Sequence, residues 1–234
     1  GSWMQQWYDQ FGAFQIPHLR SPSPHHPHPN PQALRNFGEH RRNEFFPPYD
    51  LPGTQLFQDF CEDLIQNWQL QNTVYPARVM SLVPLERKFQ LHLSTGETLT
   101  ARRVVLAVGS GKPMIPNWAK QLSSLHLRDH LCHSSQIDLR KLNLRGERIL
   151  IVGGGLTSGH LALGATKQGA TVILMGRRNF QEKLFDTDPG WLGPKYLKGF
   201  WAETDWYQRF RLLQTARNGG SMTPSVMTQL RQQQ

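Results

Sequence analysis

The chain has 234 residues, of which 38% are hydrophobic and 18% are charged, enough to bury a core in one large domain or two small ones. Its longest apolar runs, 104–108 and 149–152, are far shorter than the roughly 20 residues of a membrane-spanning helix, so we expect no membrane partner. The formal net charge of +9 is spread over scattered residues; a nucleic-acid-binding module is an alternative that only this charge supports, and we expect no nucleic-acid partner.

The first half of the chain predicts a partial domain over residues 3–109, in which helices precede strands. Helices are predicted over 32–46 and 54–70, the second from an apolar stripe at the helical period. The period then changes to two, which predicts three strands in an antiparallel meander within 73–108. The last strand ends in the continuous apolar run 104–108, a pattern typical of a strand that is buried on both faces.

The second half predicts a connector over 110–145 and a second partial domain over 146–234. The connector is recognised by its prolines and its weak periodicity. Beyond it, residues 148–152 predict a strand, 156–168 a helix and 171–175 a second strand. Together these three elements form one βαβ unit.

The turn between the strand and the helix of this unit fits the G-x-G-x-x-G/A pattern, with serine in its last position. It consists of Gly153, Gly154, Gly155, Leu156, Thr157 and Ser158. In this pattern the first glycine permits a tight turn, the second lets a pyrophosphate approach the backbone, and the last position must be small. The pattern therefore predicts a dinucleotide site at the helix N-terminus. A glycine-rich turn without a ligand is the alternative.

The end of the second strand indicates which dinucleotide is bound. An NAD site normally places Asp or Glu there, on the ribose hydroxyl groups. This chain has Arg177 and Arg178 instead, and arginine binds phosphate through charge-assisted hydrogen bonds. The sequence therefore predicts NADP(H) over NAD(H). A solvated role for at least one of the two arginines remains open.

Cysteine and histidine usage excludes two other classes of site. Cys61 and Cys132 are far apart, without metal-ligand spacing or a C-x-x-C pair, so the sequence predicts neither a disulfide scaffold nor a dithiol centre and favours a cytoplasmic location. His25, His26 and His28 lie among prolines that prevent a shared helical face. Because no cysteine or carboxylate lies nearby, we expect no metal site.

The glycine turn, combined with the upstream segment 104–116, resembles the two-dinucleotide flavoprotein oxidoreductases. Ala107, Val108 and Gly109 resemble the A-T-G-like triplet that closes the FAD domain of these proteins. The resemblance implies an α/β fold with two dinucleotide-binding, Rossmann-like domains, the meander lying in the first. It also implies FAD close to Val108 and Gly109, in addition to NADP.

Within these flavoproteins, the chain is most similar to the N-hydroxylating monooxygenases that act on lysine or ornithine. Residues 14–20 resemble their M-Q-x-x-F-L-K-D segment, with Gln15 and Leu19 matching and Arg20 in place of lysine. The resemblance implies that Gln15 and Arg20 lie near the isoalloxazine ring. It further implies an NADPH- and FAD-dependent monooxygenase of a small amine substrate. Since the flavin carries the oxygen chemistry in such enzymes, no protein nucleophile or acid–base pair is required, and the catalytic residues are left unassigned.

One feature of the resembling family has no counterpart in the sequence. The family begins with a strand and a G-x-G-x-x-G turn that holds the FAD pyrophosphate, and neither is found near residue 3. In addition, only part of an NADPH domain follows Arg178, and no closing FAD-domain strand is recognised. We therefore expect a chain truncated at both ends, with both domains incomplete. FAD is expected for the full-length family member and not for this chain alone. The alternative is a shortened, inactive NADP-binding or interaction protein that lacks FAD.

Overall fold

The computed structural model describes residues 2–109, 113–123 and 130–233, while the predicted connector's residues 110–112 and 124–129 lie outside the described ones. Helices and short strands are mixed along the chain. The α-helices are α1 (Gln5–Trp7), α2 (Ala33–Phe37), α3 (Thr54–Asn67), α4 (Asn117–Ser123), α5 (Leu156–Lys167), α6 (Pro194–Ala202), α7 (Trp206–Arg217) and α8 (Pro224–Gln232). The strands are β1 (Phe45–Phe46), β2 (Leu51–Pro52), β3 (Val79–Leu85), β4 (Lys88–Leu93), β5 (Thr98–Ala101), β6 (Arg148–Val152) and β7 (Thr171–Met175). None of the described helices is both long and apolar enough to cross a membrane.

The chain divides into two compact units. The first contains Gly1–Gln5 and Asp63–Ser135, and the second contains Gln6–Glu62 and Gln136–Gln234. The N-terminal helical region therefore shares a unit with the glycine turn, whereas the predicted domains grouped it with the meander. The division into a partial FAD domain, a connector and a partial NADPH domain stays a prediction.

Strands β3, β4 and β5 of the first unit form an antiparallel meander, as predicted. The ladder places Leu91 of β4 beside Leu82 of β3 and beside Leu99 of β5. Short turns join the strands, so each pairs with the next one along the chain. The alternation of apolar and polar residues was sufficient to predict this arrangement.

The apolar run 104–108 is not a strand, and the prediction of a strand buried on both faces is wrong. β5 ends at Ala101, and Val105, Leu106 and Val108 are 87%, 71% and 83% exposed. An apolar run becomes a buried strand only where neighbouring strands pair with its backbone. Among the described residues, no strand pairs with this run.

In the second unit, β6, α5 and β7 form the predicted βαβ unit. The two strands are parallel, with Ile149 beside Val172 and Ile151 beside Leu174. Helix α5 is buried from Gly159 to Ala165 because it contacts both strands and α8. The remaining described strand pairs are antiparallel, so the expectation of two Rossmann-like domains is not confirmed.

The predicted helix over 32–46 is much shorter than expected. Helix α2 ends at Phe37, and a 3-10 turn at Arg42–Glu44 leads into β1. The residue after α2, Gly38, is buried, and a Cβ there would lie 2.7 Å from Cε2 of the Phe45 ring. The chain therefore turns at Gly38, where a ring occupies the space that a side chain on a continued helix needs.

Candidate functional site

Gly153 is the first residue of the glycine turn, and it leaves β6 in a conformation suited to glycine. Its φ is +157°, and its N–H donates to the carbonyl oxygen of Met175 over 2.8 Å. A Cβ at this position would overlap Oγ of Ser158. The absence of a side chain at 153 and the small side chain at 158 therefore fit each other, as the third position of a dinucleotide turn requires.

Gly155 is the N-cap of α5 and has an extended backbone, with φ −103° and ψ 177°. No side chain caps the helix, so the N–H groups of Leu156 and Thr157 have no side-chain acceptor at this end. The helix has 12 residues, and its aligned peptide dipoles give its N-terminus a partial positive charge. The N–H groups at such a helix end can donate hydrogen bonds to phosphate oxygens.

The two arginines after β7 are both exposed but differ in their contacts. Arg178 donates from Nη2 to the backbone oxygen of Asn218 and from Nη1 to its Oδ1, the latter over 3.3 Å. The guanidinium of Arg177 makes no hydrogen bond or ion pair within the part of the chain that the structure describes. Of the two predicted 2′-phosphate ligands, Arg177 is therefore available and Arg178 is engaged.

A loop from Asn218 to Gly220 lies against the glycine turn, and sequence reasoning missed it. A Cβ at Gly220 would lie 2.8 Å from Cα and 3.2 Å from N of Gly155. The loop follows α7, whose C-cap Asn218 is left-handed with φ 44° and ψ 42°. The Asn-Gly-Gly sequence between two helices is the signal that could have indicated a close backbone approach here.

Arg20 contacts the protein rather than an open surface. Its guanidinium donates to the backbone oxygens of Lys183 and Leu184 over 2.7 and 2.8 Å and to Oγ of Ser221 over 2.9 Å. Burial lowers the pKa of Arg20, while the Asp186 carboxylate acts in the opposite direction. The predicted position beside a flavin ring is untested, and these contacts give Arg20 a structural role in the second unit.

Gln15 is exposed, with a left-handed φ of 52°. It lines a cavity of about 30 Å³ together with His18, His160 and Lys167, which is room for about one water molecule. Burial lowers the pKa of His160 to about 4, and the positive charges of His18 and Lys167 act in the same direction. The imidazole of His160 is therefore neutral where it lines this cavity, on the helix α5 that follows the glycine turn.

Val108 and Gly109 belong to the first unit, whereas Gln15 and Arg20 belong to the second. Val108 is 83% exposed, and Gly109 has a left-handed φ of 66°. The four residues that the resemblance implies for FAD are thus divided between units and form no common site within either one. Across the described residues, no group of three or more His, Cys, Asp or Glu could hold a metal ion.

Comparison with known proteins places the chain in a family. Residues 23–188 match the family described as pyridine nucleotide-disulphide oxidoreductase. The chain belongs to this family. The match covers residues 23–62 of the second unit, the meander and the whole βαβ unit. Membership confirms the resemblance to FAD- and NAD(P)-binding flavoprotein oxidoreductases.

Among curated relatives, the chain is 28% identical over 154 residues to an L-lysine N6-monooxygenase of Escherichia coli. The match covers 61% of the chain and 34% of that relative, so the chain spans about a third of the relative's length. This similarity confirms the resemblance to N-hydroxylating monooxygenases that the sequence shows.

Solved monooxygenase structures are among those that resemble the chain. A flavin-containing monooxygenase from Stenotrophomonas maltophilia is 14% identical, with a TM-score of 0.48, and the match covers 94% of this chain and 56% of that one. A cyclohexanone monooxygenase mutant from Rhodococcus sp. Phi1, bound to NADP⁺, is 16% identical, with a TM-score of 0.43, and the match covers 74% and 38% respectively.

Proposed function

We propose that the glycine turn of this flavoprotein-family chain binds the pyrophosphate of NADPH. The observation that supports this most strongly is the N-terminus of α5, which has no side-chain cap, together with the lack of a side chain at Gly155 that would keep a pyrophosphate from the backbone. Phosphate oxygens would accept hydrogen bonds from the free N–H groups there. The parallel pairing of β6 and β7 supports the proposal, because the ribose of a bound dinucleotide lies at the end of the second strand of such a unit.

The residue that selects NADPH over NADH is, in this proposal, Arg177. It is exposed at the end of β7 without a partner among the described residues, so its guanidinium is free to bind the 2′-phosphate. Arg178 joins it once it leaves Asn218. No carboxylate stands at either position to bind an unphosphorylated ribose.

Bound NADPH supplies a hydride for reduction. The residues of this chain contribute binding and orientation: backbone donors for the pyrophosphate, Arg177 for the ribose phosphate, and Phe180, whose ring would lie 3.6 Å from a Cβ on Gly154, as an apolar side of the turn. The residues present fit this cofactor. The residues expected for FAD form no common site within one unit, so FAD dependence is a proposal for the whole protein.

For the whole protein we propose a flavin-dependent monooxygenase that hydroxylates a small amine. This rests on the similarity to the L-lysine N6-monooxygenase. The rate at which the whole protein oxidises NADPH, with FAD added, should increase when lysine or ornithine is present. The terminal amine of that compound should be converted to a hydroxylamine. A carboxylic acid of equal length without the terminal amine is the matched control. Equal stimulation by both compounds would contradict an amine substrate.

Calorimetric titration of the chain with NADPH and with NADH tests the cofactor proposal directly. We expect NADPH to bind more tightly, because only its 2′-phosphate can pair with Arg177. Free 2′-phospho-AMP should compete with NADPH more strongly than AMP does. Equal affinities for the two dinucleotides would show that the arginines do not select the cofactor.

A further inference from the structure

The 218–220 loop lies on the same stretch of backbone that the pyrophosphate would approach. A Cβ on Gly220 would come within 2.8 Å of Gly155 Cα and 3.6 Å of the carbonyl carbon of Gly154. Gly155 is the second glycine of the motif, whose missing side chain gives a ligand access to the backbone. In the structure, the backbone of Gly220 lies against this stretch.

The same loop also engages Arg178. The guanidinium donates to both oxygens of Asn218, one on the backbone and one on the side chain. A guanidinium donor that is directed at Asn218 is not directed at a phosphate. The loop therefore acts on both halves of the proposed NADPH site: it covers the glycine turn, and it holds one of the two arginines.

The loop has the freedom to leave this position. Asn218 and Gly219 are both left-handed, with φ of 44° and 71°, a conformation that glycine leaves readily. A cleft of about 460 Å³ lined by Gly219 and Gly220, with Asp186, Gln214 and Arg217, adjoins the loop. The far end of the loop is fixed, because Met222 is fully buried and its N–H donates to the oxygen of Gln181 over 2.9 Å.

We propose that the 218–220 loop is a latch that keeps the dinucleotide site closed until NADPH displaces it. This rests on the proposed NADPH site. Opening frees the backbone of Gly155 and releases Arg178 to join Arg177 at the 2′-phosphate. Because only the open form binds, the apparent dissociation constant is the intrinsic one divided by the open fraction. A change that disfavours the closed form therefore tightens NADPH binding without adding a contact to it.

Gly220→Ala is the decisive variant, because its Cβ cannot lie 2.8 Å from Gly155 Cα and the closed latch is lost. We expect NADPH affinity in calorimetry to rise by about three- to tenfold, as the closed fraction disappears. Gly199→Ala in α6 is the matched control, since a Cβ there meets nothing within 4 Å. That control should leave the affinity unchanged. Thermal unfolding of both variants verifies that they are folded.

Asn218→Gly is a second variant that keeps the left-handed backbone and removes the side-chain acceptor of Arg178. It should also bind NADPH more tightly than the unmodified chain. Arg178→Ala should raise the affinity for NADH. The change removes the hydrogen bonds that hold the loop, and NADH has no 2′-phosphate that would need this arginine. Hydrogen exchange gives an independent readout: NADPH should protect the amides of 154–158 and increase exchange at 218, whose N–H bonds to Gln214 in the closed form.

The outcomes separate the latch from the site itself. Weaker NADPH binding by Gly220→Ala and Asn218→Gly would overturn the latch and would make the loop a part of the binding surface. Unchanged affinity in both variants would also overturn it, with the NADPH site intact. If neither the unmodified chain nor any variant bound NADPH, the proposed function would fail, and the latch with it.

Discussion

The guanidinium of Arg20 donates a 2.9 Å hydrogen bond to the hydroxyl of Ser221, which lies 201 positions further along the chain. Ser221 is 1% exposed, and the Arg20 side chain is 14% exposed, so solvent weakens this bond little. Together with the bonds to Lys183 and Leu184, it ties the N-terminal segment to the residues next to the 218–220 loop. This contact explains why the N-terminal segment shares a unit with the glycine turn.

Replacing Arg20 by Met should therefore destabilise the second unit by about 2–4 kcal/mol. The change keeps the aliphatic length but takes away the donors that Arg20 supplies to the part-buried backbone oxygens of Lys183 and Leu184, which carries a desolvation cost for each. Urea unfolding measures the effect. Arg20→Lys, which keeps the charge but not the fork of donors, should recover only part of the loss. An Arg20→Met variant as stable as the unmodified chain would contradict this role.

At the glycine turn, Gly155→Val and Gly155→Ala should differ in ligand binding more than in stability. A Cβ at 155 would lie 3.6 Å from Gly220 Cα, which is an ordinary contact. The free energy of unfolding of Gly155→Ala should therefore lie within about 0.5 kcal/mol of that of the unmodified chain. The branched side chain of Gly155→Val would fill the pyrophosphate position and abolish NADPH binding. Normal NADPH binding by the valine variant would place the phosphates elsewhere.

The two arginines should contribute unequally to cofactor preference. Arg177→Ala should lower the NADPH-over-NADH preference by about tenfold or more, since a charge-assisted hydrogen bond contributes roughly 1.5–3 kcal/mol. Replacing both Arg177 and Arg178 by Ala should remove most of the remaining preference for NADPH. Titration calorimetry with both dinucleotides gives the ratio. Arg148→Ala on β6 is a control that removes a positive charge outside the turn, and its ratio should stay unchanged.

The βαβ unit was predictable because its elements are defined locally. A short apolar run, a glycine turn, a helix and a second short apolar run follow one another between 148 and 175. The two runs pair as β6 and β7, and α5 packs against both strands. The run 104–108 is as apolar as the strands of the βαβ unit, yet most of its side chains are exposed. Whether such a run becomes a strand depends on partners distant in sequence, which local periodicity does not encode.

The candidate site shows the same limit. The glycine turn could be found by motif, because each position is fixed by a backbone requirement. The 218–220 loop and the role of Arg20 depend on contacts across 40 to 201 positions, and no spacing rule connects them. The position of Arg20 near a flavin stays a prediction from the family-like segment, and the part-buried backbone oxygens that its guanidinium contacts could not be inferred from that segment.

The two cysteines should differ sharply in reactivity. Burial raises the pKa of the Cys61 thiol to about 11, helped by the nearby Glu62 carboxylate, whereas Cys132 is exposed. Since the thiolate is the nucleophile, a thiol-specific reagent at pH 8 should modify one cysteine per native chain and two in urea. Cys132→Ser should then show no fast reaction in the native state. Rapid labelling of Cys61 would contradict its burial.

His160 should make the stability of the chain depend on pH. Its side chain lies beside the cavity on α5 with 9% exposure, and burial lowers its pKa in the folded state from 6.5 to about 4. The unfolded chain therefore binds more protons between these two values, and folding stability rises with pH across that window. The contribution is complete above pH 6.5 and is lost as the pH falls to about 4.

His160→Gln should remove this part of the pH dependence, because the amide fits a polar cavity and does not titrate. His160 should lower the free energy of unfolding of the unmodified chain, relative to His160→Gln, by at most about 3 kcal/mol between pH 6.5 and 4, because a tenfold change in proton affinity corresponds to about 1.4 kcal/mol. Urea unfolding at intervals of half a pH unit gives both curves. His40→Gln, which alters an exposed histidine, is the control and should keep the slope. Parallel curves for the unmodified chain and His160→Gln would show that His160 is not held neutral in the fold.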